Sequence, residues 1–308
     1  MSPAVTVRVS DAYNNIVPAV SVSLTITNGT AISGTLTRTS DGAGLASFNN
    51  LSMTLANTYA LSASATGCTT TTSGNFTINP AAPNNIIMVQ QPTNTAAGQS
   101  IAPAVTVRVR DIYNNYVPSI SVSVTTTNAT LMSGTLAQNS DSSGLATFNN
   151  LSMTLAGTYA LSASSGGLTT ITSSNFTINP ANAGKLLWVS QPTSPQTAGS
   201  AWASFSAEIT DQYNNRVITN ASVTLVTATG TSGFASGNTV AASNGLATFT
   251  AATYNRGEAI TIRATSGSLT AASASNSITI NPASPNKLAF VQQPTDTISG
   301  AAFAPAVT

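Results

Sequence analysis

Hydrophobic and polar positions alternate along most of this chain. In the run VTVRVR, Val105, Val107 and Val109 fall on one side and Thr106, Arg108 and Arg110 on the other, the period-two pattern of a half-buried strand. The same alternation runs through ISVSVTTT from Ile120, TYALSAS from Thr158 and NFTINP from Asn175, with turn clusters between them such as SDSSG at Ser140 and SSGG at Ser164. No stretch holds apolar residues at i, i+3, i+4 and i+7 for three turns, so helix is expected to be almost absent. For residues 81–180 the pattern predicts strands near 86–91, 104–111, 116–127, 134–139, 145–151, 157–164 and 168–179.

The pattern repeats. PAVTVRV occurs at Pro3 and Pro103, FNNLSMTLA at Phe48 and Phe148, YALSAS at Tyr59 and Tyr159, and NFTINP at Asn75 and Asn175. A third copy has drifted but keeps YNN at Tyr213, GLATF at Gly245 and ITINP at Ile278, and KLAFVQQP from Lys287 begins a fourth. Short strands with turns every eight to twelve residues, in units of about one hundred, read as immunoglobulin-like antiparallel β-sandwiches. The expected fold is all-β: tandem immunoglobulin-like sandwiches arranged end to end as a rod. The expected domains are 1–80, a repeat lacking its first strand, then 81–180 and 181–282, with 283–308 as the first strand of a further repeat. NPAAPNN from Asn79, NPANAGK from Asn179 and NPASPNK from Asn281 read as short, extended, semi-rigid joints, because proline fixes φ.

Composition narrows the partners. Hydrophobic residues make up 42% of the 308 and charged residues only 6%, with nine Lys and Arg against eight Asp and Glu. Arg108 and Arg110 are the only close basic pair, so no cationic stripe exists to neutralise nucleic acid or hold an anionic membrane. No apolar run approaches the roughly 18 residues of a membrane span. The start, MSPAVTVRV, lacks the basic and apolar regions of a signal peptide, so any export signal is expected outside this sequence. The single cysteine, Cys68, excludes an internal disulfide and reads as a packed or incidental thiol.

The most conspicuous motif is DAYNNIVP from Asp11, DIYNNYVP from Asp111 and DQYNNRVI from Asp211. A calcium loop gathers several carboxylates, whereas each copy offers one Asp and two Asn. Asp11, Asp111 and Asp211 are therefore expected to brace a turn, with Asn at positive φ and Tyr packed over the corner. Asp41 and Asp141, with Gly44 and Gly144, read the same way. The chain has no histidine, and its only glutamates are Glu208 and Glu258, so no enzyme, metal or cofactor is expected. Trp188 reads as core, and Trp202 is the candidate ligand contact, for carbohydrate.

The order VxVxDxYNNxV, then SDSSGLATF, then GTYALSASS, resembles the bacterial immunoglobulin-like repeats of large surface proteins, close to the invasin and intimin type. That resemblance covers the whole chain. It implies an exported bacterial protein, extracellular or on the cell surface, whose repeats serve as stalk, spacer or filament.

NIIMVQQP and KLLWVSQP open the second and third repeats, nothing of the kind precedes Pro3, and KLAFVQQP stands unpaired at the far end. Either the array is cut at an arbitrary phase, or Leu288, Phe290 and Gln292 of one chain fill the gap in the next and build a head-to-tail fibre. The expected function is a structural stalk or fibre-forming segment whose partner is itself or its neighbouring repeats. The competing reading is an adhesin module that binds glycan or a host surface protein.

Overall fold

A computed structural model describes residues 3–29, 31–302 and 304. Phe303 and residues 305–308, the end of the expected further strand, lie outside the described residues. Among the described residues every regular element is a β-strand. The chain divides into two compact units, Met1–Asn179 and Pro180–Thr308.

The first unit contains two sandwiches, the second of them complete. In it, Val105–Asp111 lies between Pro83–Gln90 and Leu145–Phe148, antiparallel to both. The facing sheet runs Ala137–Asn139, Ser121–Thr126, Leu161–Ser164, Ile171–Thr172. Val105, Val107 and Val109 alternate into the space between and are each 0% exposed, as are Val122 and Val124 of the facing sheet and Phe148, the cross-strand partner of Val105. A third, small sheet pairs Phe176–Asn179 antiparallel to Gly157–Tyr159 and parallel to Thr95–Ala96.

Two of the expected strands are broken for the same reason. The run 157–164 pairs with 176–178 as far as Tyr159 and then, past Ala160, with Ser123–Thr126 in the other sheet. The run 168–179 likewise splits into Ile171–Thr172 and Phe176–Asn179, one in each sheet. Alternation continues across a sheet switch, so the pattern alone does not reveal it. The expected strand 116–127 starts only at Ser121, because Pro118 offers no N–H and Ser119 takes φ 63°. Thr95–Ala96 is too short to show any period.

The first sandwich repeats this plan with less cover. Ser21–Ile26 pairs with Thr37–Thr39 and Leu61–Ala65, and Asn57–Tyr59 with Phe76–Ile78. Val5–Arg8 pairs with Leu45–Phe48 on one side only among the described residues. Val22, Leu24, Phe48, Leu51 and Leu61 form its core.

The second unit contains the third sandwich. Lys185–Ser190, Phe205–Thr210 and Leu246–Phe249 make one sheet, and a five-stranded sheet faces it, with Ser222–Thr229 and Ala259–Thr265 at its centre. Its core is richer in aromatics: Phe205 stacks on Phe249 with centroids 5.3 Å apart, and Trp202 sits against Phe205 and Phe234. Residues 282–290 carry no strand.

Candidate functional site

The DxYNN corner ends the valine-alternating strand of each repeat. Asp111 Oδ1 accepts the backbone N–H groups of Tyr113 and Asn115, both at 2.8 Å, and Asp111 Oδ2 accepts the Asn115 side-chain amide at 2.7 Å. Asp11 and Asp211 hold the same bonds at 2.8–2.9 Å. The first asparagine of each copy takes left-handed φ, 66° at Asn14, 66° at Asn114 and 71° at Asn214, which asparagine tolerates better than most residues. The aspartates therefore brace the turn. Their oxygens are already engaged by N–H donors, and no group of three His, Cys, Asp or Glu gathers among the described residues, whereas a calcium loop gathers several carboxylates.

The expectation for the tyrosines is corrected in the first two repeats, where Tyr13 is 86% and Tyr113 54% exposed and Asp and Asn close the turn without the ring; Tyr213 is half-buried.

Turn chemistry does not account for everything the corner does. Asn115 Nδ2 also donates to the Thr54 carbonyl at 2.7 Å, and Asn115 Oδ1 accepts the Ala56 N–H at 2.8 Å. Both partners belong to the preceding sandwich of the same unit. Asp111 Oδ2 further accepts the N–H of Ala81, in the joint segment, at 2.9 Å. Asp111 and Asn115 are consequently buried, at 1% and 6% exposure. The Asp211 carboxylate binds the Ala181 N–H in the same way at 2.8 Å. The sequence reading missed this clasp. Its signal was there: a second Asn that needs no unusual φ, and an Asn-Pro-Ala whose alanine stands thirty residues before each of the last two aspartates.

Electrostatics follow the geometry. Burial pushes the Asp111 and Asp211 carboxyls up, but hydrogen bonds from the Asn side chain, the joint alanine and the turn N–H groups outweigh it and hold both below the ordinary aspartate value. Asp11 is also lowered, chiefly by the Asn15 side chain.

A second feature is the uncovered edge of Val5–Arg8. Val5 and Val7 are partly exposed, and beside them lies a groove of about 450 Å³ of mixed lining, in which Val7, Val22 and Ala63 are joined by Arg8, Asp11 and Thr71. At the equivalent place in the next sandwich Pro83–Gln90 fills the space, with Ile86 at 3% exposure beside Val109. Leu288, Phe290 and Val291 are 102%, 65% and 88% exposed, and Gln292 is half-buried.

The remaining candidates fall outside any site. Trp202 is corrected from surface contact to core, at 2% exposure between two phenylalanines, since the third sandwich needs a large ring to fill its end. Trp188 is half-buried, its indole N–H on the Ser273 carbonyl at 2.9 Å. Glu208 pairs with Arg216 at 2.8 Å. Glu258 accepts the Tyr254 hydroxyl at 2.6 Å and the Thr231 N–H at 3.0 Å, which lowers its pKa. Cys68 is exposed, not packed.

No family model and no curated protein sequence matches this chain. Solved structures do. FdeC, an adhesin of Escherichia coli, is 15% identical, with 88% of this chain and 89% of that one covered and a TM-score of 0.44. Invasin, a bacterial integrin-binding protein, is 18% identical over 91% of this chain and 57% of its own, with a TM-score of 0.39. The D0-D1 domain of intimin is 17% identical over 64% of this chain and 98% of its own, with a TM-score of 0.26. The structures that this chain is similar to thus include the invasin and intimin type that its sequence pattern resembles.

Proposed function

We propose that this chain is a non-enzymatic stalk segment of an exported bacterial surface or extracellular protein, whose work is to hold sandwiches in series at fixed angles. The observation that carries this reading is the clasp of Asn115 on Thr54 and Ala56, reinforced by Asp111 on Ala81. A flexible tether has no use for buried, saturated hydrogen bonds between neighbouring domains, whereas a spacer that must resist bending does. Spin labels on the first and second sandwiches should give a narrow distance distribution that broadens in Asn115→Ala. A distribution equally broad in both proteins would defeat the reading.

The finer reading is that the segment also forms fibres, with residues 286–308 of one copy completing the first sandwich of the next. The open edge of Val5–Arg8 and the exposure of Leu288 and Phe290 support it, since an unpaired strand edge templates strand addition. Transferring the register of the second sandwich sets Val9 opposite Leu288, Val7 opposite Phe290 and Thr6 opposite Gln292. Electron microscopy of the purified chain should reveal long assemblies that vanish when residues 286–308 are deleted. Monomers from the intact chain would rule it out. The adhesin reading has lost its candidate residue with the burial of Trp202.

A further inference from the structure

The second sandwich carries a pair of cations that the third neutralises and the first does not repeat. Arg108 and Arg110 lie on the outer face of the valine-alternating strand, and Tyr116 is the antiparallel bridge partner of Arg110. The two guanidinium carbons stand 4.4 and 5.8 Å from the centroid of the Tyr116 ring. Neither arginine forms an ion pair among the described residues, and the Arg110 side chain makes no hydrogen bond there. Asp141 is held below the ordinary aspartate value chiefly by the Leu145 N–H and the Ser143 hydroxyl, with Arg108 the smallest of the causes, so it does not neutralise the pair.

In the third sandwich Glu208 and Arg216 occupy the places of Arg108 and Tyr116 and pair with each other at 2.8 Å. In the first, Ser10 and Ile16 stand where the second has Arg110 and Tyr116, although much of the surrounding sequence is unchanged.

Tyr116 also faces the joint between the first two sandwiches. With Leu55 it lines a cleft of about 510 Å³ there, the two side chains being 43% and 47% exposed. Ala56 and Asn115, bonded at 2.8 Å in the clasp, line it too, so the clasp fixes its width. Asn79, Asn114 and Ser142 add amide and hydroxyl groups whose side chains make no hydrogen bond among the described residues. Clefts between domains are a favoured place for small ligands.

We propose that this cleft, with Tyr116 as its wall and Arg108 and Arg110 beside that ring, is a binding site for an acidic saccharide of the sialic acid or uronic acid class. The C–H face of the sugar packs on Tyr116, and its hydroxyls bond to Asn79, Asn114 and Ser142. Its carboxylate takes guanidinium N–H groups that no acid of the chain engages, a pairing that suits the planar fork of arginine. Two arginines match one carboxylate and are too few for a polyanion. An acidic peptide satisfies the cations but offers no row of hydroxyls to the three polar side chains. The site goes beyond the spacer reading and shares with it only the clasp that sets the width of the cleft.

The test is isothermal titration calorimetry of the full chain with N-acetylneuraminic acid, a glucuronic acid trisaccharide, glucose and a tetra-aspartate peptide. At least one of the two acidic sugars should bind saturably, and glucose about tenfold more weakly or not at all. Which acid binds better distinguishes a sialylated glycan from a uronate polysaccharide as the source. Arg110→Ser and Tyr116→Ile install the residues that the first sandwich already carries, and each should weaken the acidic sugar about tenfold, while Arg216→Gln should match the parent. Unchanged thermal unfolding shows that the variants fold. No saturation by either acid at about 10 mM, parent-like affinity in Arg110→Ser or in Tyr116→Ile, or tetra-aspartate binding as tightly as the sugars would each overturn the site.

Discussion

Asn115 donates its side-chain amide to the backbone carbonyl of Thr54 at 2.7 Å, joining residues that lie 61 positions apart and belong to successive sandwiches. The same side chain accepts the Ala56 N–H and donates to Asp111, so one amide closes a turn and a domain joint at once. Replacing Asn115 by alanine should destabilise the first unit by about 1–3 kcal/mol, since it strips bonds from a buried carboxylate. Denaturant unfolding checks this, and Asn15→Ala, with its exposed side chain, is expected to cost less.

Acid should weaken the corners. The native pKa values of Asp111 and Asp211 are lowered, so below about pH 4 the unfolded chain binds protons that the folded chain does not. Their contribution is complete above that pH and is lost as pH falls through the lowered native values. The denaturant midpoint is expected to fall steeply between pH 4 and pH 2, and Asp111→Asn should flatten that slope. A midpoint independent of pH over this range would count against it.

Gly144 adopts φ +69°, and a Cβ there would stand 2.8 Å from the Val109 carbonyl and 3.0 Å from Tyr116 Cβ. Gly144→Ala is expected to cost about 1–3 kcal/mol, from left-handed backbone strain and contact with a carbonyl that is fixed in the sheet. Gly166→Ala meets no atom within 4 Å and should be close to neutral. Thermal unfolding of the pair separates the two cases.

Trp202→Ala should behave as a core truncation. The ring is 2% exposed and packs 5.4 Å from Phe234 and 6.1 Å from Phe205 by centroid, so about 3–5 kcal/mol of stability is expected to go. The checking measurement is differential scanning calorimetry. An unchanged transition would mean that the indole is not the plug that this packing describes.

The all-β class and the repeats were legible because Val105, Val107 and Val109 obey a strict local period and because whole phrases recur. The turn role of Asp111 was legible for a similar reason, since its partners lie within four residues. Its joint role was not, because Ala81, Thr54 and Ala56 are distant in sequence and contribute only backbone atoms, which leave no trace in residue type. Sheet switching at Ala160 was hidden in the same way, for alternation is blind to which sheet a strand joins. Trp202 misled because a large aromatic near a turn looks the same from sequence whether it caps a core or faces water.

In the complete sandwich of the first unit, Thr95–Ala96 runs parallel to Ile178 and Asn179, beside the point where the chain leaves the domain. The Ala97 N–H adds a bond to the Asn179 carbonyl at 2.8 Å, and in the second unit Gln196–Thr197 meets Ile280 and Asn281 in the same sense. Each short strand follows the opening strand of its sandwich, Pro83–Gln90 or Lys185–Ser190, and lies side by side with the exit strand, pointing the same way. Drawing the two chain ends apart pulls such a pair past each other once tension has passed the opening strand, and the load then falls on those hydrogen bonds together, in shear, and not on one after another as in peeling. Each of these sandwiches thus carries, behind its opening strand, a lock against tension along the chain.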